Sequence, residues 1–320
     1  MSATLRFIIF QLMIIVPFVS GTFVQKRLSH GPGFTKKLIR INLILIEPFI
    51  VLWSIWGLKL SWDIIMLPIS GLFLVLIGLA SGWIFVPVLK LTGKKRAGFL
   101  ISSSLANHGF TMGAFLCYLF LGETGLGLSF IFLSYFMLYV FTVIFPYARM
   151  VSTSQRYSLS FLRDFLLNLQ NMPLAAIVVG LTLHAVHIQR PGVYFPIDIL
   201  IIVSIAIYYF TLGINFTTSD VFSAARETLA LSAIKFVMVP AATFTVLSAV
   251  SLDSQVETVI LVQSFMPAAI YSVVASVLFD LDTRLTSNLF VLNSLVFLVL
   301  VLPFLFIFRV LYLLHTKQNK

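Results

Sequence analysis

The sequence predicts an all-α integral membrane protein with ten transmembrane helices, and two observations support this prediction. Hydrophobic residues make up 60% of the 320-residue chain and charged residues 10%, whereas soluble domains carry about 25% charged residues. A helix needs about 20 apolar residues to cross the hydrocarbon core, and ten such runs follow one another. Their approximate bounds are 5–24, 38–58, 64–89, 97–121, 125–146, 165–187, 197–216, 229–250, 256–279 and 285–309. Because the runs are continuously apolar rather than alternating, helices are favoured over barrel strands.

The ten runs fall into two sets of five. Residues 149–164 form the longest polar stretch in the middle of the chain, so we predict a first five-helix repeat at 1–148, a cytoplasmic linker at 149–164 and a second five-helix repeat at 165–320. Five crossings per half bring the second half into the membrane from the opposite face, which makes related halves inverted repeats. Prolines that recur at intervals of 156 and 157 residues indicate duplication: Pro17 with Pro173, and Pro146 with Pro303.

The net charge of +10 comes from basic residues at the ends of the apolar runs, where they set membrane orientation and do not indicate nucleic-acid binding. With an outer N-terminus, fourteen of them face the cytoplasm: Lys26, Arg27, Lys36, Lys37, Arg40, Lys90, Lys94, Lys95, Arg96, Arg149, Arg156, Arg163, Arg226 and Arg284. Six face the other side: Arg6, Lys59, Arg190, Arg309, Lys317 and Lys320. We therefore predict that both termini lie outside. The stretch 5–20 could instead be a signal peptide, but the basic residues that follow it at 26–40 favour a retained helix.

The fourth and ninth runs are each interrupted by polar or helix-breaking residues near their middle. Asn107, His108 and Gly109 interrupt the fourth run; Gln263 and Pro267 interrupt the ninth, and Gly109 and Pro267 are 158 residues apart. Interruptions at equivalent positions of two repeats are the best sequence indication of a transporter's solute site. If the two broken helices cross, their half-helix N-termini favour an anionic solute. The alternative is ordinary helix packing, with a hydrogen-bonded asparagine and a common proline kink.

Two ionisable residues are candidates for coupling transport to an ion gradient. Glu47 falls near the membrane centre, where a carboxylic acid is either a proton- or cation-coupling group or a neutral acid bonded between helices. His108 is either a group that exchanges protons or a neutral histidine that bridges helices. Lys235, about one turn inside the eighth run, is expected to extend its ammonium group to the membrane interface.

No metal centre and no cofactor are predicted. Cys117 is the single cysteine, which excludes internal disulfides and cysteine-built metal sites. His184 and His187 have no carboxylate nearby in the sequence and are better explained as interfacial polar residues. No glycine-rich phosphate loop occurs, and nothing pairs a nucleophile with a base as an intramembrane enzyme would require. The sequence is therefore not expected to be an enzyme.

Several short motifs, read in order, resemble the auxin efflux carrier family of permeases, part of a superfamily similar to the bile acid/sodium symporters. They are Asn107-His108-Gly109-Phe110, Met266-Pro267-Ala268 with Ala275, Asn171-Met172-Pro173 with Gly180, and the closing run through Pro303. The resemblance covers essentially the whole chain. It implies that helices 4 and 9 are broken and cross at the substrate site, with a binding role for Asn107, Gly109, Met266 and Pro267. The proline that the family usually has after its first motif is absent, and Ala114 stands near that position.

These features together predict a secondary permease that moves a small organic anion, a carboxylate, by alternating access, with proton or cation coupling through Glu47 or His108. The candidate solute-binding residues are Asn107, His108, Gly109, Gln263, Met266 and Pro267. The expected partners are the solute and the lipid bilayer of a bacterial inner membrane, with a homodimer as an option and no nucleic acid. The rival interpretation is a membrane sensor that binds a solute without transporting it.

Overall fold

The computed structural model describes residues 3–25, 31–59, 61–153, 172–214 and 224–307. In this part of the chain the structure contains fourteen α-helices and no β-strand. The helices are α1 (Ala3–Gln25), α2 (Gly31–Ile41), α3 (Glu47–Trp56), α4 (Met66–Val88), α5 (Gly93–Ser104), α6 (Gly113–Tyr139), α7 (Phe145–Thr153), α8 (Met172–Ala185), α9 (Ile197–Ile214), α10 (Ala225–Ala233), α11 (Val239–Leu247), α12 (Ser254–Ser264), α13 (Ile270–Leu278) and α14 (Thr283–Val296). The predicted linker at 149–164 begins inside α7, and its residues 154–164 lie outside the described ranges.

Within the described ranges, six helical segments are long and apolar enough to cross a membrane. Their bounds are Lys37–Trp56, Trp62–Val88, Gly113–Ser152, Ile197–Ile214, Ala225–Leu247 and Thr283–Ile307. Two shorter apolar helices, Gln11–Gln25 and Met172–Ala185, accompany them. These findings confirm an all-helical integral membrane protein. The count of ten spans and their inverted-repeat relation remain predictions.

The chain bends sharply at Gly122 inside α6. Gly122 has φ 67° and ψ −151°, a backbone conformation that glycine adopts without the steric cost of a Cβ. A Cβ on Gly125 would lie against the Cys117 carbonyl, although residues eight positions apart in a straight helix are separated by about 12 Å. The helix therefore folds back on itself here, where the Gly122-Glu123-Thr124-Gly125 motif predicts a tight connection.

Small residues bring neighbouring helices into close contact. A Cβ on Gly21 of α1 would lie 3.0 Å from the Cα of Gly213 in α9. Helices in lipid gain little from burying apolar surface against each other, so their association depends on close packing of this kind. Between α3 and α8, a Cβ on Gly180 would lie 2.9 Å from the Cγ2 of Ile55. Substitution of these glycines would push the helices apart.

In the described ranges, four π-helical turns interrupt the helical segments, at Asn42–Ile46, Val140–Ile144, Ile234–Met238 and Phe297–Val301. A π-turn inserts one extra residue into a helix, and such turns are frequent at functional sites. The first turn contains Asn42 and directly precedes Glu47, whereas the third contains Lys235. Two of the four turns thus hold or adjoin ionisable groups in apolar segments.

Candidate functional site

Both predicted helix interruptions are present. The fourth predicted run divides into α5, which ends at Ser104, and α6, which begins at Gly113. The ninth divides into α12, which ends at Ser264, and α13, which begins at Ile270. The first interruption occurs without the proline that the resemblance leads one to expect, and Leu105, the residue after α5, takes an extended conformation with ψ 132°.

The two interruptions pair with each other through their backbones. The Asn107 N–H donates to the Pro267 carbonyl at 2.7 Å, and the Ala269 N–H donates to the Leu105 carbonyl at 3.1 Å. These bonds flank an antiparallel bridge between Ala106 and Ala268. Backbone groups released from a helix inside a membrane need partners within the protein. Each interruption supplies partners to the other, and we call this paired region, residues 105–112 and 265–269, the crossover.

Side chains from other helices bind the remaining backbone groups of the crossover. The Asn293 Oδ1 of α14 accepts from the Ala268 N–H at 2.8 Å, and its Nδ2 donates to the Ser232 Oγ of α10 at 3.0 Å. In the first interruption, the Tyr209 hydroxyl of α9 donates to the Thr111 carbonyl. The irregular backbone is therefore held by α14 and α9, which are not among the broken helices, and α10 supports the Asn293 side chain.

Asn107 and His108 carry their side chains into this buried region. The Asn107 Oδ1 accepts from the Thr111 Oγ1. The His108 Nδ1 shares a hydrogen bond of 2.8 Å with the Tyr135 hydroxyl, and the ring of Phe132 packs edge-on at 5.0 Å between centroids. The His108 Nε2 is buried and has no partner within the described part of the chain.

Gln263 joins the two interruptions through its side chain. Its Nε2 donates to the His108 carbonyl at 3.2 Å, while its Oε1 is buried without a partner among the described residues. A Cβ on Gly113 would collide with that Oε1, so glycine at the start of α6 makes room for the Gln263 amide. Met266 and Pro267 are buried, whereas a Cβ on Gly109 would meet nothing within 4 Å.

Glu47 lies in a separate buried polar cluster that is linked to the crossover through α9. Its Oε1 accepts from the Asn42 Nδ2 at 3.3 Å and from the Tyr208 hydroxyl. Tyr209, the next residue along α9, is the group that binds the Thr111 carbonyl. Two consecutive residues of α9 therefore contact the two regions: Tyr208 binds Glu47, and Tyr209 binds the first interruption.

A protein family described as membrane transport protein matches residues 7–305 of the chain. The chain belongs to this membrane transport family. The match confirms the resemblance to auxin efflux carrier permeases that the motifs predict. No curated protein matches the chain. Membership in this membrane transport family indicates a membrane transporter with a small-molecule solute. No group of three or more His, Cys, Asp or Glu residues among the described ones could hold a metal ion.

The interpretation of Lys235 as an interfacial residue is wrong. Its side chain is 2% exposed, and its ammonium donates to the Leu105 carbonyl at 3.0 Å and to the Ser104 carbonyl at 3.3 Å. A single sequence gives its distance from the end of an apolar run but not which face of the helix bears it. Asn293 and Tyr209 were also missed, although polar residues deep in apolar runs are the signal that singled out Asn107.

Proposed function

We propose that the chain is a secondary transporter that moves a small organic anion, a carboxylate, across the membrane by alternating access. The observation that carries this proposal is the pairing of two helix interruptions from different halves of the chain through Asn107 and Pro267. Irregular backbone at membrane depth is tolerated only where protein covers it or where it lines a cavity. Discontinuous helices that meet in this way form the solute sites of many secondary transporters.

Unpartnered polar atoms support a polar solute at the crossover. The His108 Nε2 and the Gln263 Oε1 are buried without a partner in the described ranges. Buried polar groups in proteins are nearly always hydrogen-bonded. A bound solute with its own donors and acceptors would satisfy them. Gly109, beside open space, lets the solute approach the backbone.

The charge of the solute is inferred from the groups that surround the crossover. Helices α6 and α13 both begin there, and a helix N-terminus carries partial positive charge. The ammonium of Lys235 bonds to carbonyls of the first interruption. Together these groups favour a negative solute over a neutral or positive one.

We infer that the architecture is two inverted five-helix repeats. The π-turns Val140–Ile144 and Phe297–Val301 begin 157 residues apart, and so do α6 at Gly113 and α13 at Ile270. Equivalent irregularities at a constant interval support a duplicated unit. Two similar halves of opposite orientation can exchange their conformations, which opens the crossover to each side of the membrane in turn.

Coupling to protons or another cation is assigned to Glu47 or His108. Glu47 has a route to the crossover through Tyr208 and Tyr209 on α9, so a change in its protonation could shift the helix that holds the Thr111 carbonyl. His108 lies in the crossover itself. The pH dependence of their variants distinguishes the two.

The function is tested with the purified full-length chain and a panel of carboxylates. A ligand at about 100 times its dissociation constant adds about 2.7 kcal/mol to stability, so a true solute raises the melting temperature. The stabilising carboxylate, in radiolabelled form, should then accumulate in proteoliposomes in response to an imposed gradient. Binding without accumulation would favour the sensor. If no carboxylate stabilises the protein and none accumulates, the proposal of an organic-anion transporter is contradicted.

A further inference from the structure

Lys235 reaches the crossover from a helical segment that is not one of the two broken helices. It belongs to the π-turn Ile234–Met238 between α10 and α11. The side chain is almost fully buried, and its ammonium contacts the carbonyls of Ser104 and Leu105. These two carbonyls are at the C-terminal end of α5, where the helix stops and the extended segment begins.

The end of α5 needs a positive partner for electrostatic reasons. The last carbonyls of a helix have no donor within the helix, and the helix C-terminus carries partial negative charge. Water satisfies such carbonyls at a protein surface, but here Ser104 and Leu105 are fully buried. The ammonium supplies both hydrogen-bond donors and a full positive charge at this end.

In the part of the chain that the structure describes, the Lys235 ammonium pairs with no carboxylate, unlike Lys94, which pairs with Asp280, and Arg190, which pairs with Glu123. Among the described residues, its partners are the backbone carbonyls of Ser104 and Leu105 alone. In transporters with discontinuous helices, unwound carbonyls and half-helix C-termini of this kind coordinate a sodium ion or a proton taken from solution. A lysine ammonium that binds the same carbonyls is itself a cation, and it is covalently part of the chain.

We propose that Lys235 is the resident cation of the crossover. Its ammonium occupies the position of a coupling sodium ion at the carbonyl end of α5, so that the site receives its anion without binding sodium. An uncompensated positive charge inside a membrane is unfavourable, and the negative solute supplies the compensation. This inference rests on the proposed function, because it concerns the charge of the same site.

The proposal predicts what happens when the side chain is shortened. Lys235→Ala leaves the Ser104 and Leu105 carbonyls without a cation and opens a space in which a small ion can bind. Lys235→Met fills most of that space with an uncharged chain of similar length and is the matched control. Sodium should therefore replace the lysine in the alanine variant but not in the methionine variant.

The test measures melting temperatures in sodium chloride and in choline chloride at equal ionic strength, with sodium as the probe. The wild-type chain should melt at the same temperature in both salts. Lys235→Ala should melt lower in choline chloride and recover part of the loss in sodium chloride, whereas Lys235→Met should not recover. If Lys235→Ala does not fold, Lys235→Ser, whose hydroxyl adds an oxygen ligand, is measured in its place with the same expectation.

Two outcomes would overturn the proposal: a sodium-specific stabilisation of the wild type, or a small-residue variant that sodium does not stabilise. Uptake gives a second measurement once a solute is known. Wild-type uptake should not depend on sodium. The uptake rate of Lys235→Ala should fall about tenfold or more, because hydrogen bonds to a charged group are lost. Sodium should restore part of this uptake. If the wild type accumulates no solute, the proposed function fails, but the melting test still decides the role of Lys235.

Discussion

Individual side chains replace the hydrogen bonds that the two broken helices lack. Lys235, Asn293 and Tyr209 bind backbone groups of the crossover, whereas Asn107 and His108 belong to it. The first group stabilises the irregular backbone, and its loss should affect folding as well as transport. In the second group the His108 Nε2 has no partner within the described ranges, and the loss of either side chain should affect solute binding more than the fold.

At the residue scale, Asn107→Ala should weaken carboxylate binding about tenfold, since it removes a hydrogen bond to a charged ligand. The protein should still fold, because the Asn107 backbone bond to Pro267 does not need the side chain. The matched control is Thr111→Val, which removes only the hydroxyl that bonds to the Asn107 Oδ1. Binding is measured from the ligand-induced rise in melting temperature. Equal binding by Asn107→Ala and the wild type would show that the Asn107 side chain serves helix packing and does not bind the solute.

Glu47→Gln should abolish the pH dependence of uptake and preserve part of solute exchange. Glutamine mimics the neutral acid and can still accept from the Tyr208 hydroxyl, but it has no proton to release. Uptake by the variant and the wild type is measured in proteoliposomes between pH 5 and 8, roughly the range in which a coupling group exchanges its proton. Tyr208→Phe is the control, since it keeps the acid and removes the hydrogen bond. A wild-type pH profile in Glu47→Gln would move the coupling role to His108.

At the scale of elements, the crossover depends on the ends of four half-helices meeting in one place. Helices α5 and α12 end there and α6 and α13 begin there. The proline at 267 contributes because it has no N–H and so cannot extend α12 by another hydrogen bond. Its carbonyl remains available to the Asn107 N–H.

Pro267→Ala should therefore impair transport while the protein still inserts into the membrane, because alanine allows α12 to continue toward α13. Cysteines at positions 107 and 267 in a Cys117→Ser background should form a crosslink, and a bound carboxylate should slow the reaction. Cysteines at 107 and 278, the far end of α13, serve as the control pair and should not crosslink. Full transport by Pro267→Ala together with no crosslink between 107 and 267 would refute this account of the crossover.

Two ion pairs connect different elements at opposite ends of the fourth predicted run. Arg190 pairs with Glu123 beside the kink of α6, donates to the Trp53 carbonyl at 3.1 Å and lies over the Trp53 ring at 4.9 Å. Lys94, at the start of α5, pairs with Asp280 after α13. We expect the first pair to hold its end of the transporter closed.

Glu123→Gln should accordingly make a cysteine at position 109 react faster with an impermeant thiol reagent added from the side of residue 123. Position 109 is suitable because a side chain there meets open space. Asp280→Asn, which removes the pair at the other end, is the matched control and should not accelerate labelling from that side. Equal rates in Glu123→Gln and the parent chain would show that the Arg190 pair does not restrict access.

At the scale of the whole molecule, the fourteen-to-six distribution of basic residues predicts which loops face the cytoplasm. The loop at 90–96 should lie inside, whereas the loop at 187–197 and both termini should lie outside. Single cysteines at Lys95 and Gln189 in the Cys117→Ser background report this in intact cells. An impermeant reagent should label position 189 and spare position 95. The reverse pattern would show that the orientation is the opposite of the predicted one, and it would not affect the account of the crossover.

The sequence by itself determined that the protein is helical, that it is built for a membrane, which family it belongs to, and where the fourth and ninth apolar runs break. These properties depend on composition and on local chemistry: continuous apolar runs, and glycine or proline at the interruptions. Even the missing proline of the first interruption did not matter, because Asn107 and its neighbours bind the second interruption instead of continuing the helix.

Only the tertiary structure decided which distant groups serve the crossover. Lys235 lies 128 residues from Asn107, and Asn293 lies 186 residues from it, so no local pattern relates them. Whether a lysine near the end of an apolar run extends to the interface or turns inward depends on the face of its helix and on what packs there. In this chain the C-terminal end of α5 offers the carbonyls of Ser104 and Leu105, and the electrostatic attraction of that end for a cation fixes the lysine inside.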